Sequence, residues 1–309
     1  MAFLHFLESF RSAPLDAFFG AITYLGDEIV FICIALLLFW CWSKRCAYYV
    51  FFVGSFSLLG NQFLKIICRV PRPWVLDPSL TIVESARSAA QGYSFPSGHT
   101  QDVVSYAGSF ALLTKKKWAW IVCAALVILV PFSRLYLGVH LPSDVGAGFL
   151  LSAVLVLALY PVFRTEERCA RLIPYFFGGI FIVCAVYLIY VLGLHTDVTL
   201  DESNYFSAVK NGWLMTGCLA GLALSYFVDR RWLHFEVQAK WYVQILKFVL
   251  GFVILIALRA VLKEPMYSLF HGNSAADAVR YFIMVAFSGC VWPLTFPLFR
   301  RLEKKKEEV

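Results

Sequence analysis

The chain has 309 residues, of which 60% are hydrophobic and only 15% charged, and its mean hydropathy is +0.72. That composition excludes an ordinary soluble globular domain and points to a membrane protein. The formal net charge of +7 does not imply a nucleic-acid partner, because the basic residues gather in short connections between apolar segments.

The N-terminal residues 1–27 place Glu8, Arg11, Asp16 and Asp27 among Phe and Leu. This pattern predicts an amphipathic segment lying in the membrane interface. It lacks the basic start and small-residue cleavage site of a signal peptide.

Crossing a bilayer takes roughly 20 apolar residues, with about 17 as a lower limit. Nine candidate spans follow, with soft boundaries. They run from Glu28 to Trp42, Ala47 to Leu64, Thr100 to Thr114, Trp118 to Ser133 and Asp144 to Phe163. Four more run from Leu172 to Leu194, Gly212 to Val228, Trp241 to Leu262 and Asp277 to Phe299. The expected fold is an all-α, polytopic membrane bundle of about eight or nine transmembrane helices by this length rule.

Basic clusters follow every second span: Lys44 with Arg45, Lys115 to Lys117, Arg164 with Arg168 and Arg171, Arg230 with Arg231 and Lys240, and Arg300 to Lys306. Short basic connections tend to stay cytoplasmic. The alternation therefore predicts an outer N-terminus and a cytoplasmic C-terminal tail in a plasma membrane.

No Gly, Ser or Pro-rich linker and no internal repeat divides the chain. Polar chemistry concentrates in the first half, so the working division is 1–27, 28–163 and 164–309. The last part is read as extra transmembrane helices of unknown role with the basic tail. Lys247, Arg259, Asp277 and Arg280 lie in or near its apolar stretches, where pairing is expected. The nine Cys form no C-x-x-C pair or Cys/His ligand set, so they read as small hydrophobic packers and no metal site is expected.

Three outward-facing clusters carry reactive chemistry. Lys65 is followed by Arg72 and Pro73, Pro96 leads into Ser97, Gly98 and His99, and Ser133 with Arg134 precedes His140 and Asp144. The prolines and glycines between residues 65 and 99 break any continuous helix into an irregular external loop. Alternating topology brings all three clusters to one face of the membrane.

A tetrahedral phosphate needs cations and N–H donors. Lys65, Arg72 and Arg134 supply the first, and Ser97 with Gly98 at a helix start supplies the second. Of two histidines, one can attack phosphorus while the other protonates the leaving oxygen. His140 and Asp144 are four apart, so in helical geometry the carboxylate can hold the imidazole in one tautomer. Asp102, three residues after His99, is a candidate partner behind that histidine or a wall of the pocket. Taken singly, the cations also fit interfacial anchors that snorkel to headgroups. The matched histidine motifs argue against that reading.

Taken together, Lys65-x6-Arg72-Pro73, Pro96-Ser97-Gly98-His99 and Ser133-Arg134-x5-His140-x3-Asp144 resemble the three-part signature of the type 2 phosphatidic acid phosphatase family, which is related to the vanadium haloperoxidases. The resemblance covers about Glu28 to Phe163. It implies a phosphohistidine on His140, His99 as general acid and then base, and Asp144 orienting His140. It also implies phosphate binding by Lys65, Arg72, Ser97, Gly98 and Arg134, with no metal or other cofactor.

The expected activity is hydrolysis of a lipid phosphate monoester or diphosphate on the extracytoplasmic face. Undecaprenyl diphosphate, phosphatidic acid and phosphatidylglycerol phosphate are family-type substrates. A lipid-phosphate transporter or binding protein, or a phosphotransferase using the same site, remains the alternative. The oligomeric state is not legible.

Overall fold

The protein is described by a computed structural model over residues 1–197 and 199–305. The far end of the expected basic tail, residues 306–309, lies outside the described residues. Among these residues the fold is all-α, with helices and no strands. Seven helices are long and apolar enough to cross a membrane, and an eighth span results if one bent pair is counted as a single crossing.

That pair lies at the N-terminus. Residues 1–27 do not form one helix. They fold as α1 (Ala2–Glu8), α2 (Ala13–Thr23) and a 3-10 turn at Tyr24–Gly26, and α3 (Glu28–Leu37) then leaves at 52°. Ser12 stands before a first-turn Pro14, a common helix start.

Then come α4 (Lys44–Cys68), the one-turn α5 (Pro73–Leu76), α6 (Gly98–Thr114), α7 (Lys117–Tyr136) and α8 (Pro142–Phe163). The third predicted span is α6, whose 17 residues rise only about 26 Å. The segment between Cys68 and Gly98 is mostly irregular, as its prolines require. The remaining helices are α9 (Glu166–Gly193), α10 (Glu202–Val228), α11 (Trp241–Val261), α12 (Lys263–Leu269), α13 (Ala276–Ala286) and α14 (Phe296–Lys305).

The chain divides into two compact units, each described by itself. The first comprises residues 1–35 and 48–169. In it α6 packs on α7 and α8, and α2 packs on α7. Small side chains permit that approach: Ser105, Ala107, Ser109 and Ala111 of α6 are buried. Where hydrocarbon gives no hydrophobic drive between helices, hydrogen bonds hold them in register. Ser57 on α4 meets Ser152 on α8 at 2.8 Å, and Tyr106 on α6 donates to the Leu25 carbonyl at 2.8 Å.

The second unit comprises residues 36–47 and 170 onward. Its tightest contact joins α10 to α13, where a Cβ on Gly217 would lie 2.0 Å from the Ala278 carbonyl oxygen. The expected pairing of its charges holds for Asp277 and Arg280, which are 2.9 Å apart. The buried Lys247 ammonium donates to the Val237 carbonyl at 3.1 Å and sits over the Phe296 ring. Arg259 is exposed instead. A further ion pair joins Lys44 to Asp229 at 2.7 Å. Single π-turns at Leu38–Trp42, Asp229–Leu233 and Phe287–Val291 interrupt otherwise regular helices.

Candidate active site

The three sequence clusters converge within the first unit, each placed by a local feature of the chain. Lys65 stands in the last turn of α4, and Arg72 precedes α5. Arg72 is anchored by three carbonyls: its Nε donates to Gly92 at 2.9 Å, Nη1 to Val139 at 3.1 Å and Nη2 to Gln91 at 2.8 Å. The guanidinium thus ties the irregular loop to the turn that carries His140.

That turn depends on Gly138. After Arg134 in the last turn of α7, the backbone reaches φ +78° at Gly138. A side chain there would be strained, and its Cβ would lie 2.6 Å from the Arg11 guanidinium. The reversal delivers His140 just before α8, where Pro142 opens the helix and Asp144 occupies its third position. Asp144 accepts the Leu141 N–H at 2.8 Å, which satisfies a helix-end donor and fixes the carboxylate.

His140 is held at both ring nitrogens. Nδ1 lies 3.4 Å from the Asp144 carboxylate and 3.4 Å from the Ser94 hydroxyl. Ser94 in turn donates to Asp144. Nε2 lies 3.0 Å from Nη1 of Arg72. A guanidinium only donates, so Nε2 must accept, and the ring proton sits on Nδ1 toward Asp144. Burial, reinforced by the charges of Arg72, Arg134 and Lys65, pushes this imidazole well below the usual histidine range.

Arg134 is fully buried, which excludes a snorkelling anchor. Its Nη1 donates to Thr23 of α2 at 2.8 Å. Its Nε and Nη2 are buried with no hydrogen-bond acceptor among the described residues. An unpaired buried donor costs about 1–3 kcal/mol, more when charged, so two of them on one guanidinium mark a place for an anion. The Lys65 ammonium makes no hydrogen bond to a described residue, and its electrostatic neighbours include Arg72, Arg134 and Asp144.

Ser97 is buried at the N-cap of α6 and accepts from Thr100 at 3.0 Å. Its backbone N–H donates to the Asp144 carbonyl at 3.0 Å, joining the α6 and α8 starts. Gly98 opens α6, and a Cβ there would meet nothing within 4 Å. The His99 imidazole makes no hydrogen bond among the described residues, and its electrostatic neighbours are Arg134, His140, Arg72 and Lys65. It also lines a cavity of about 410 Å³ beside α2 and the 83–89 segment. Asp102 makes no hydrogen bond to His99; it lies in the field of Glu28, Asp27 and Lys65.

The structure therefore gathers Lys65, Arg72, Ser97, Gly98, His99, Arg134, His140 and Asp144, and gives Asp102 the electrostatic neighbours Glu28, Asp27 and Lys65. Two contributors were not among the sequence candidates. Ser94 lies two residues before the Pro96-Ser97-Gly98-His99 run, and Thr23 comes from the N-terminal helices 111 positions away from Arg134. Nothing in the sequence around Thr23 signals the contact. The serine before the motif carries a weak signal, since Asp144 needs donors besides His140.

The same residues are where the chain resembles known proteins. Residues 45–168 match the PAP2 superfamily, and residues 213–305 match the PAP2 superfamily phosphatase, transmembrane extension. An undecaprenyl-diphosphatase of Sulfolobus acidocaldarius is 31% identical over 142 residues, covering 46% of this chain and 67% of that protein. A lipid A 1-phosphatase of Rhizobium etli is 31% identical over 158 residues, covering 45% and 67%. The sphingosine-1-phosphate phosphatase 1 of Rattus norvegicus is 29% identical over 169 residues, but only 37% of its length is covered. The crystal structure of the first transmembrane PAP2 type phosphatidylglycerolphosphate phosphatase from Bacillus subtilis is 26% identical, with a TM-score of 0.43, over 52% of this chain and 82% of that one. With two relatives matched over two thirds of their own length, and a family match that encloses every residue from Lys65 to Asp144, the chain belongs to the PAP2 superfamily.

Proposed function

We propose that this multi-pass membrane protein is a metal-independent phosphatase that hydrolyses a lipid phosphate through a phosphohistidine on His140. The observation that carries the reading is the hold on His140: Asp144 and Ser94 at Nδ1, Arg72 at Nε2. That arrangement keeps Nε2 unprotonated and aimed into a cluster of cations.

In the first step Nε2 attacks phosphorus and the bond to the lipid oxygen breaks. His99, protonated once the phosphate dianion is bound among the cations, gives its proton to that oxygen. Arg72 transfers its Nη1–H from Nε2 to a phosphate oxygen as the substrate arrives. The two unpartnered N–H groups of Arg134, the Lys65 ammonium and the backbone at Gly98 receive the remaining oxygens. As His140 acquires a second substituent its ring becomes cationic, and Asp144 stabilises it. In the second step His99 takes a proton from water, the water oxygen attacks phosphorus, and the N–P bond breaks to free phosphate and neutral His140.

These side-chain cations supply the charge stabilisation that a metal provides in other phosphoryl-transfer enzymes. The alternation of basic connections supports a site on the extracytoplasmic face of the plasma membrane with the C-terminus in the cytoplasm. The named activities of the relatives, on undecaprenyl diphosphate, lipid A and sphingosine 1-phosphate, favour a lipid substrate with its tail in the bilayer.

The test is phosphate release by the purified protein in detergent from a panel of lipid monophosphates and diphosphates, beside a folded His140→Ala variant. Release by the parent and its loss in the variant are expected, with inhibition by vanadate and none by chelators. Binding without release by the parent would replace the phosphatase with a carrier or binding protein, and loss on chelation would mean a metal takes part.

A further inference from the structure

The bend between α2 and α3 lies against two members of the site. Its 3-10 turn, Tyr24–Gly26, packs on α6 and on α7. Two attachments fix it there. Thr23, at the end of α2, accepts the Nη1 hydrogen bond of Arg134 at 2.8 Å, and the Leu25 carbonyl accepts the Tyr106 hydroxyl at 2.8 Å. Tyr106 follows His99 by two helical turns on α6, which puts both on one face. Val130 and Arg134 are one turn apart on α7 and share a face in the same way. The turn is thus wedged between the helix start that carries His99 and the helix end that carries Arg134.

The point of closest approach is Gly26, which is buried. A Cβ there would lie 2.8 Å from the His99 carbonyl oxygen, 2.9 Å from the His99 Cβ and 2.7 Å from Cγ1 of Val130. Carbon atoms in contact settle at about 3.5–4.0 Å, so a side chain at this position forces a neighbour to move. Val130 can turn its methyl aside, but the His99 carbonyl and Cβ belong to the first turn of α6. Any residue other than glycine therefore pushes on the backbone from which the imidazole hangs. That imidazole has no hydrogen-bond partner among the described residues, so its place is set by its backbone and by what packs on it.

We infer that Gly26 is a positioning residue for the general acid: its bare backbone lets the turn close on His99, and through Thr23 the same turn sets where the imidazole stands relative to the Arg134 guanidinium. The inference rests on the phosphatase reading, in which His99 protonates the leaving oxygen. Gly26 lies outside residues 45–168 that match the PAP2 superfamily, so the bend is a support of the site that this match does not include.

The test uses leaving groups that differ in their need for a proton. Dodecyl phosphate expels an alkoxide, which must be protonated as it leaves, whereas p-nitrophenyl phosphate expels a stable phenolate, which need not be. The comparison is made in kcat/KM, which covers the steps up to release of the alcohol, so the later use of His99 on water does not enter it. In Gly26→Ala the value for dodecyl phosphate should fall by about a hundredfold, the scale of a misplacement of about 1 Å, and that for p-nitrophenyl phosphate by under about threefold. His99→Ala, run beside it, should show the same selectivity, with a loss of about 10²–10⁴-fold on the alkyl ester. Tyr106→Phe keeps the ring and removes the donor to Leu25, loosening the turn without adding volume; a selective loss of about three- to tenfold on the alkyl ester is expected, the scale of one hydrogen bond.

Equal losses on the two esters in a folded Gly26→Ala, or no loss on either, would overturn the inference and leave the phosphatase intact. If thermal unfolding shows that Gly26→Ala does not fold, Tyr106→Phe decides by the same criterion. Equal losses in His99→Ala would remove the acid role on which the inference rests. Failure of the wild type to hydrolyse dodecyl phosphate would remove the lipid phosphatase reading and this inference with it.

Discussion

Nη1 of Arg72 donates to Nε2 of His140 across 3.0 Å, and this one bond fixes which nitrogen of the histidine is free to attack. Because burial and the surrounding cations hold His140 well below the usual histidine range, its neutral form persists below the ordinary value of about 6.5. A depressed histidine loses function as pH falls through its folded value. The acid limb of kcat/KM attributable to His140 should therefore lie well below pH 6.5. Arg72→Gln should move that limb upward and lower kcat/KM by about a hundredfold or more, the scale of one lost charge-stabilising donor. An unmoved limb would show that Arg72 does not face His140 in the working enzyme. Stability follows the same sign: the unfolded chain takes up this proton first, so the contribution of neutral His140 falls away below about pH 6.5.

Asp144 is fully buried, and it accepts from Leu141 and Ser94 while facing His140. Asp144→Asn keeps the size but places an amide where the His140 Nδ1 proton points. Turnover should drop by about 10³ to 10⁴-fold, as for other orienting carboxylates behind a catalytic histidine, with the circular dichroism of the helices unchanged.

Ser94→Ala removes one donor from the same carboxylate and leaves its Leu141 bond in place. A smaller loss, about tenfold in kcat with KM little changed, is expected for an outer hydrogen-bond partner. A KM effect without a kcat effect would place Ser94 on the substrate instead.

Thr23 and Arg134 meet across 2.8 Å between α2 and α7. Thr23→Val keeps the shape and removes the acceptor, leaving another buried guanidinium N–H unpaired, at a cost of about 1–3 kcal/mol. The guanidinium should then be less well aimed, with kcat/KM down by about tenfold and largely restored in Thr23→Ser. Failure of serine to restore activity would assign the residue to packing.

α1 is latched to the irregular 68–98 segment by His5, which lies 2.9 Å from Asp77 there and 2.9 Å from Glu8 on its own helix. Those contacts raise the His5 imidazole, and the Ser79 hydroxyl, with His5 second, holds Asp77 down at about 2. A raised histidine stabilises fully below its unfolded value of about 6.5 and loses that contribution as pH rises through its folded value. The carboxylates contribute above their unfolded values near 4 and lose that as pH falls. Hydrogen-exchange protection factors in Ala2–Glu8, taken against the intrinsic rate at each pH, should thus be highest in the mildly acidic range and fall above about pH 6.5, and His5→Ala should abolish the alkaline part of that change.

Seven of the nine expected spans were legible because hydrocarbon forces long apolar helices; the first counts as a crossing only with the bent pair it forms with α2, and the third, α6, falls short of a span. The helix ends were not, because π-turns at Leu38–Trp42 and Phe287–Val291 have no simple sequence signal and polar residues such as Asp144 belong to helix starts. The spacing of His140 and Asp144 was legible, since four residues place them on one helical face. The roles of Thr23 and Ser94 were not: each depends on a loop or helix brought in from elsewhere by packing, and a lone threonine or serine carries no pattern of its own. Asp102 followed the local rule of three-residue spacing from His99, yet the tertiary field of Lys65 and the acidic Asp27 and Glu28 surrounds it instead.

Rapid acid-free quenching of the enzyme with a lipid monophosphate labelled in its phosphate, followed by peptide mapping, asks whether His140 becomes phosphorylated. The expected result is a base-stable, acid-labile label that forms within one turnover, maps to the peptide containing His140 and is absent in His140→Ala. Phosphate released at full rate with no label on the protein, or a label that survives in His140→Ala, would contradict the covalent route and move the attack to water or to another residue.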